Sequence, residues 1–192
     1  MVQKKITKKS RISVKKKRWY SVEAPKVLNS IIFGETPASD PDLLKGRVFN
    51  IALSVVNRAV RGNNISVSFK TVEVKGNNCI TEFVGYEMAG GFIKRLVKRA
   101  KRKVDDSFVL ETKDKVKFRF KPMLLIKATV QHSVQTSLRK KVRNHMAKLC
   151  KEKEYSEIVG MILQGNLQKE LRSECKKIHP MLNVDVRALR KL

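Results

Sequence analysis

The stretch I-S-V-S-F-K-T-V-E-V-K-G-N-N-C-I-T-E-F-V-G, residues 65–85, decides the fold because side chains alternate along it before a turn. Ile65, Val67 and Phe69 alternate with polar residues, which is the period of a half-buried β-strand. The sequence K-G-N-N at 75–78 is typical of a tight hairpin turn, since Gly and Asn tolerate positive φ. Residues 79–85 then return as the partner strand, so the stretch predicts an antiparallel hairpin.

An irregularity is expected inside the first of these strands. The apolar residues occupy odd-numbered positions up to Phe69. From Thr71 onward the pattern changes, and Val72 and Val74 continue it at even-numbered positions. A one-residue slip turns the buried face of a strand to the other side. We therefore expect a β-bulge near Lys70–Thr71.

The same period predicts further strands on both sides of this hairpin. In one of them Val116, Phe118 and Phe120 face one way, while the lysines and the arginine between them face the other. Pro122 interrupts the alternation and separates two strands. The further strands are predicted at 46–56, 107–111, 116–120, 123–130 and 182–188, with a second hairpin turn at 112–115.

Helical spacing replaces strand alternation between the hairpins and toward the C-terminus. The predicted helices cover 91–104, 133–152, a segment capped by Ser156 and ended by Gly165, and a segment capped by Asn166 that stops before Pro180. Strands thus dominate the middle of the chain, and helices are concentrated in the C-terminal third. This order predicts an α+β fold, with a largely antiparallel, partly closed β-barrel-like sheet and flanking helices.

The first eighteen residues differ from the rest in composition. Residues 1–18 carry nine Lys and Arg and no acid. Such a block repels itself, so we expect a basic N-terminal arm that is disordered when free and orders on RNA. Residues 19–192 are then expected to form a single domain.

Positive charge is the dominant feature of the composition. Forty-three Lys and Arg against seventeen acids give the 192 residues a formal net charge of +26. A compact domain with this surplus repels itself, and the commonest partner that relieves such repulsion is nucleic acid. Hydrophobic residues at 42% are too many for a purely disordered basic protein, and aromatics at 6% are too few for recognition dominated by base stacking.

Catalytic signatures are lacking in the sequence. Neither a glycine-rich nucleotide loop nor a serine-hydrolase or zinc-protease motif occurs. A metal-dependent nuclease needs paired carboxylates, and Asp105, Asp106, Glu111 and Asp114 are the only acids clustered near basic residues. The first two are interpreted as the end of a helix and Asp114 as part of a turn, so no enzyme is predicted.

Neither a metal nor another cofactor is predicted. Cys79, Cys150 and Cys175 are odd in number and widely spaced, which favours reduced thiols in the cytosol over disulfides. Cys175 and His179 lie four residues apart, but a buried thiol explains Cys175 better than a zinc ligand does. No apolar run approaches the length of about 18–20 residues that spans a membrane, and no secretory signal is expected.

Three basic segments are the candidate nucleic-acid-binding sites. They are the N-terminal arm, the predicted helix near residue 100, and the polar side of the strand at 116–120. Ion pairs one helical turn apart cannot relieve seven basic residues in ten positions, whereas phosphates can. The candidate RNA-binding residues are Lys4, Lys5, Lys8, Lys9, Arg11, Lys15, Lys16, Lys17, Arg18, Lys94, Arg95, Lys98, Arg99, Lys101, Arg102, Lys103, Lys117, Arg119 and Lys121.

Several stretches resemble the archaeal and eukaryotic small-ribosomal-subunit protein family "S-one-e", also called "S-three-a-e". The matching pieces are K-K-R-W-Y-S-V-E-A-P at 16–25, G-E-T-P-A-S-D-P-D-L-L-K-G-R-V at 34–48, G-N-N-C-I-T-E-F-V-G-Y-E at 76–87, F-I-K-R-L-V-K-R at 92–99, T-K-D-K-V-K-F-R-F-K-P at 112–122 and K-K-I-H-P-M at 176–181. They occur in the family's order and cover nearly the whole chain. The uninterrupted 34–48 segment and the stop near Leu192 resemble the archaeal form.

The sequence departs from this family at two places. Ala89-Gly90-Gly91 replaces the usual polar residues before Phe92, which weakens the expected helix cap. His179 stands where relatives often carry an aromatic residue. Neither change alters the assignment.

The resemblance implies a non-enzymatic component of the small ribosomal subunit, in the cytoplasm, on the platform near the mRNA exit. Its implied partners are small-subunit rRNA, neighbouring ribosomal proteins and mRNA near the exit, with no membrane and no homo-oligomer. It also implies a β-barrel-like core with flanking helices. Composition alone leaves open a DNA-compacting chromatin-type protein and, as a third class, a basic nuclease or RNA-modifying enzyme.

Overall fold

In a computed structural model of the chain, residues 16–25, 28, 30–57, 62–100 and 102–192 are described. They form a nine-stranded, mostly antiparallel sheet and five α-helices, which confirms the α+β class. The strands are β1 (Arg18–Glu23), β2 (Ile32–Ala38), β3 (Val48–Ala52), β4 (Ile65–Lys75), β5 (Asn78–Met88), β6 (Arg102–Asp105), β7 (Phe108–Glu111), β8 (Lys117–Ile126) and β9 (Met181–Lys191). The helices are α1 (Leu53–Val56), α2 (Gly90–Lys98), α3 (His132–Glu152), α4 (Tyr155–Gln164) and α5 (Asn166–Lys176), and a 3-10 helix covers Pro41–Leu44.

The hairpin predicted from residues 65–85 is confirmed as β4 and β5. The two strands pair antiparallel from Lys75 opposite Asn78 to Ile65 opposite Met88. Gly76 has a φ of +59° in the turn between them, a conformation that glycine adopts without steric cost. The turn residues therefore set the register of the longest antiparallel pair in the sheet.

The expected bulge is present, but it lies slightly later in β4. The pairing register shifts between Thr71 and Glu73, which leaves Val72 without an opposite residue. Thr71 is buried and Val72 is 57% exposed, so the prediction that Val72 takes over the buried face is wrong. Val74 does pack against a core cluster, because the extra residue at the bulge turns the Val74 side chain toward the core.

The prediction of a partly closed barrel is wrong, because the sheet in the described residues has open edges. β3 pairs only with β4, β7 pairs only with β8, and the main strand order ends at β2 and β6. β5 is long enough to pair with two strands along one edge. β1 pairs in parallel with residues 78–80, and β9 pairs antiparallel with residues 85–87. The sheet therefore branches at β5, whereas a barrel would need its two edges to meet.

The main core lies between the sheet and the three C-terminal helices. Phe118 and Phe120 of β8 enter this core with side chains of β9, α3, α4 and α5. A smaller cluster lies on the other side of β8, where α2 packs against Met123 and Leu125. β8 is thus buried on both faces toward its C-terminal end.

Two predicted elements end earlier than expected. The strand predicted at 46–56 ends at Ala52, and the next four residues form the single helical turn α1, which buries Leu53 and Val56 in the core. The helix predicted at 91–104 ends at Lys98 and is followed by β6. Val104 lies opposite Leu124 of β8 in the main core, so pairing with β8 overrides the helical spacing of this segment.

Two other predicted strands are longer than expected. β8 continues through Pro122, because the register shift beside this residue places Arg187 of β9 in a bulge, where proline is tolerated. β9 continues to Lys191 instead of ending at Ala188. Both extensions depend on a partner strand that sequence alone does not identify.

The ends of the helices agree only in part with prediction. Gly165 ends α4 with a φ of +78°, as expected for a left-handed C-cap. Ser156 and Asn166 do not cap their helices: the cap positions are Glu154 and Gly165, and neither donates or accepts a side-chain capping hydrogen bond. The weak cap expected before Phe92 is confirmed, since Ala89 holds that position.

The three cysteines are buried and free. Burial raises the pKa of the Cys150 and Cys175 thiols to about 11, so both stay protonated at neutral pH. The prediction that Cys175 is a buried thiol on the α5 seam is confirmed. These side chains fill the core as small apolar groups.

Replacing the β8 core residue Phe120 with alanine tests this packing. Phe120→Ala is expected to lower the free energy of unfolding by about 3–5 kcal/mol, because the buried ring leaves a cavity beneath α3. Val109→Ala is the control, since Val109 lies on the neighbouring strand β7 with its side chain 49% exposed, and a change of less than about 0.5 kcal/mol is expected. Urea unfolding followed by circular dichroism measures both, and equal losses would contradict the assigned core.

Candidate nucleic-acid interface

The alternation of β8 presents three cations on one face of the sheet. Phe118 and Phe120 point into the main core, so Lys117, Arg119 and Lys121 point to the opposite face. Lys117 and Arg119 are exposed, and Lys121 is half-buried. The predicted polar side of this strand is therefore confirmed as a solvent-facing row.

Neighbouring strands add a further arginine to this row. Arg190 of β9 lies directly opposite Arg119, and Gly85 of β5 lies opposite Arg190 on its other side. Like charges opposite each other on a sheet repel, which makes the Arg119–Arg190 pair unfavourable without an anion. Glu87 relieves part of this repulsion, because Arg190 Nη2 donates to Glu87 Oε2 at 2.7 Å.

The acids of this face leave two cations unpaired. Lys117 Nζ lies 4.0 Å from Glu111 Oε2, at the limit of an ion pair. Within the described residues, neither Arg119 nor Lys121 has an acidic partner. These two side chains are therefore the part of the row that is free to bind an external anion.

A shallow depression of about 550 Å³ adjoins the row. Its lining includes Asn50, Ser68, Gly85 and Arg190, together with the residues that lead into α2. Ser68 Oγ donates to Asn50 Oδ1 at 2.7 Å, so hydroxyl and amide groups line this part of the sheet. Val48, Val84 and Met88 also line the depression, so it combines polar groups with apolar side chains.

Helix α2 brings more cations to the same side of the sheet. Its apolar residues pack on Met123 and Leu125, which share the β8 face of Lys117, Arg119 and Lys121. Lys94 and Lys98 are exposed one helical turn apart. Arg95 is already engaged, since it donates to Asn64 Oδ1 at 3.1 Å and lies 5.5 Å from the centre of the Phe92 ring. We call Lys94, Lys98, Lys117, Arg119, Lys121 and Arg190 the sheet-face cations.

The prediction that Arg99, Arg102 and Lys103 extend one basic helix is wrong. Arg99 is the C-cap of α2, and the other two lie on β6. Lys103 Nζ forms an ion pair of 2.6 Å with Asp105 Oδ2, so its charge is largely offset. Arg102 lies opposite Ile126, and opposite residues share one face of a sheet, so the side chain of Arg102 leaves on the main-core face, away from the sheet-face cations.

The basic segment at the start of β1 lies apart from the sheet-face cations. Lys16, Lys17 and Arg18 are exposed, and the parallel register puts Ser21 of β1 opposite Asn78 at the start of β5. Arg190 pairs with β5 seven residues further along, so a rise of about 3.3 Å per residue separates the two sites by more than roughly 20 Å. The other candidates lie outside the described residues: Lys4, Lys5, Lys8, Lys9, Arg11, Lys15 and Lys101.

The clustered acids have structural partners. Asp106 accepts two hydrogen bonds of 2.6 Å from the Arg143 guanidinium, and Asp114 accepts one of 3.2 Å from the Tyr155 amide. The prediction that Asp105 and Asp106 end a helix is wrong, because Asp105 ends β6 and Asp106 begins the link to β7. The Arg143 side chain lowers the pKa of Asp106, so this carboxylate is held as an anion by the fold.

Metal and membrane signals are not found in the described part of the chain. No three His, Cys, Asp or Glu side chains among these residues converge into a group that could hold an ion. Within the same residues, no helix combines the length and the apolar character needed to cross a bilayer.

Two groups of cations were missed by the sequence analysis. Arg190 was left out because the predicted closing strand stops at Ala188, and the Arg187 bulge, which changes the side that later residues face, leaves no clear trace in the sequence. The exposed cations of α3 were also left out, although Lys140 and Lys148 lie on the polar side of a clear helical pattern. The signal for the second group is present in the sequence, since α3 carries only one acid, Glu152, to offset its cations.

These features are typical of a basic α+β protein with an exposed cationic face, the kind of surface to which polyanions bind. The model of the Ribosomal S3Ae family matches residues 5–192. The chain belongs to this family, which confirms the resemblance found in the sequence. Proteins of this family are structural, so the prediction of a non-enzymatic protein is also confirmed.

Individual relatives are similar over most of their length. The chain is 32% identical to small ribosomal subunit protein eS1 of Methanospirillum hungatei, over 90% of this chain and 87% of that protein. It is 31% identical to the protein of the same name from Nanoarchaeum equitans, with the same coverage. The protein of that name from Methanothermobacter thermautotrophicus is 26% identical, over 90% of this chain and 88% of the relative. All three are archaeal, in agreement with the expected archaeal form.

The unpaired cations Arg119 and Lys121 predict a specific salt dependence. For Arg119→Gln/Lys121→Gln, the slope of log affinity for a short RNA duplex against log salt should become shallower by about 1.4–1.8, since each lost phosphate contact removes about 0.7–0.9. The control Lys45→Gln/Lys177→Gln removes the same charge from lysines already paired with Asp42 at 2.7 Å and Glu174 at 2.5 Å. Filter binding at several salt concentrations measures the slopes, and equal slopes for the two variants would contradict this interface.

The Asp106–Arg143 ion pair predicts a pH-dependent contribution to stability. Because the folded-state pKa of Asp106 lies below its ordinary value of 3.8, the pair stabilises the fold above that pH and the effect is lost as pH falls through the lowered pKa. Asp106→Asn should therefore lower the free energy of unfolding by about 1 kcal/mol at pH 7 and by progressively less below pH 4. Asp42→Asn, in an exposed pair, is the control with a smaller expected effect at pH 7. Urea unfolding between pH 7 and pH 2.5 measures both, and a constant difference for Asp106→Asn would be inconsistent with this linkage.

Proposed function

We propose that this protein is a structural component of the small ribosomal subunit and binds small-subunit rRNA through the sheet-face cations. The names of its archaeal relatives support membership of the small ribosomal subunit, since each is a small ribosomal subunit protein. The single observation that carries the binding surface is the pair Arg119 and Lys121, which have no acidic partner in the described residues and share one face of β8.

The mechanism is neutralisation of phosphate charge by a preformed cationic surface. A phosphate between Arg119 and Arg190 replaces the repulsion of the two guanidinium groups with charge-assisted hydrogen bonds. Both arginines are held on strands that pair along most of their length, so binding orders their side chains and leaves the backbone as it is. Contacts of this kind recognise the shape of a folded RNA and carry little sequence information.

Further parts of the proposal concern the basic arm and the location in the subunit. Residues 1–18 act as an arm that orders on rRNA, and residues 19–192 form one domain. The family resemblance supports a position on the platform near the mRNA exit, in cytoplasmic ribosomes, with ribosomal proteins and mRNA as neighbours. Residues 16–18 are exposed and lie apart from Arg190. Both observations support an arm that contacts RNA at a position other than the sheet face.

Sedimentation of the protein in its own cell extract tests the proposed function. The full chain should migrate in equal molar amount with small subunits on sucrose gradients through moderate salt. It should be released by ribonuclease, because RNA phosphates hold it, and deoxyribonuclease should change nothing. Arg119→Glu/Lys121→Glu should reduce its share in small subunits severalfold, whereas Lys45→Glu/Lys177→Glu should not.

Two results would overturn this function. Migration with DNA and release by deoxyribonuclease would favour the DNA-compacting alternative. Absence from salt-washed small subunits, with the wild-type chain folded, would exclude a structural role there.

A further inference from the structure

Helix α3 carries a second cationic row on the surface that faces away from the sheet. Its inner side buries Leu138, Val142 and Met146 in the main core. Lys140, Asn144 and Lys148 are exposed at intervals of four residues, so they form one row along the outer side of the helix. With a rise of 1.5 Å per residue, the two lysines lie about 12 Å apart along the helix axis.

The acids near α3 pair with the cations on both sides of this row and leave the row itself unpaired. Lys141 Nζ lies 3.0 Å from Glu174 Oε2, and Arg143 is bound by Asp106. In the described residues no acid reaches ion-pair distance of Lys140 or Lys148, and Glu152, one turn beyond Lys148, is among the acids that do not. Of the other α3 cations, Arg139 donates to the Asp105 carbonyl oxygen at 3.2 Å and Lys151 is exposed beyond Lys148. The outer row therefore carries much of the positive charge of α3 that acids leave unpaired.

The outer row and the sheet-face cations lie on opposite sides of the molecule. α3 covers the β8 face that carries Phe118 and Phe120, while Arg119 and Lys121 lie on the other face. A sheet and a helix about 10 Å thick separate the two surfaces by roughly 20 Å. One phosphate cannot contact both, so the two rows need different RNA segments or distant parts of one folded RNA.

The chemistry of the row favours RNA over a protein as its occupant. Protein interfaces have buried aromatic or aliphatic anchors at their centres. None of the large exposed apolar side chains in the described residues lies on α3. A helical row of lysines with an amide between them instead offers cationic groups and hydrogen-bond donors, which suit the densely charged phosphate backbone of an RNA.

We propose that Lys140, Asn144 and Lys148 form a further phosphate-binding surface, distinct from the sheet-face cations and from the basic arm, through which this protein bridges two RNA segments. The inference rests on the proposed function, because the first segment is the one bound by the sheet-face cations. It adds that the protein joins two parts of the RNA instead of coating one. The rigidity of α3 against the sheet fixes the distance between the two segments.

A two-RNA capture experiment tests the bridge. A biotinylated RNA duplex on beads binds the full-length protein at equal molar amounts, and capture of a second, dye-labelled duplex is measured at 0.15 M salt. Wild-type protein should capture the second duplex. Lys140→Gln/Lys148→Gln should still bind one duplex through the sheet-face cations but should capture the second roughly tenfold less. This loss is expected because two phosphate contacts are worth about 10–30-fold in affinity at this salt concentration.

Matched variants separate failure of the bridge from failure of the proposed function. Arg119→Gln/Lys121→Gln should also lose the bridge, and Lys45→Gln/Lys177→Gln should keep it, with circular dichroism confirming that all variants fold. Capture of the second duplex by the α3 variant at the wild-type level would overturn the bridge and leave rRNA binding standing. The bridge is also excluded if wild-type protein binds one duplex and captures no second. Wild-type protein that binds no RNA duplex at all would overturn both proposals.

Discussion

The alternation of side chains along β8 is the constraint on which the rest of this structure depends. Phe118 and Phe120 anchor the strand in the main core beneath α3, α4 and α5. The same geometry forces Lys117, Arg119 and Lys121 onto the opposite face, and further along the strand Met123 and Leu125 on that face hold α2. One strand therefore positions the core, the helix that adds cations and the cations themselves. A shift of β8 by one residue would bury three charges and expose two phenylalanines.

The distribution of acids is the second determinant of the surface. A formal net charge of +26 leaves most cations without a partner, so which few are neutralised decides where an anion binds. Glu87, Asp105, Asp106 and Glu174 each hold a cation at 3.0 Å or less. Three of these pairs connect β5 to β9 and α3 to the β6–β7 link and to α5, whereas the pair of Lys103 and Asp105 lies within β6. The cations that remain unpaired face outward on both sides of the sheet.

Local patterns predicted the elements whose signals lie within one segment. The β4–β5 hairpin followed from its alternation and its Gly-Asn turn, and α3 and the end of α4 at Gly165 followed from helical spacing and glycine chemistry. Features that depend on a distant partner were missed. The early end of α2 reflects pairing of β6 with β8, and the position of Arg190 reflects the bulge at Arg187 beside Pro122. The open sheet was missed for the same reason, because the sharing of β5 between β1 and β9 cannot be deduced from the sequence of β5.

The most direct test of the central claim is the reactivity of individual lysines in the free protein and in the assembled small subunit. Brief acetylation followed by mass spectrometry gives the modified fraction at each lysine. The account predicts that Lys121 and Lys94 on the sheet side become strongly protected in the subunit, because phosphates cover them, while each remains reactive in the free chain. Equal reactivity of Lys121 in the free and the assembled protein would contradict the claim that this face of the sheet binds RNA.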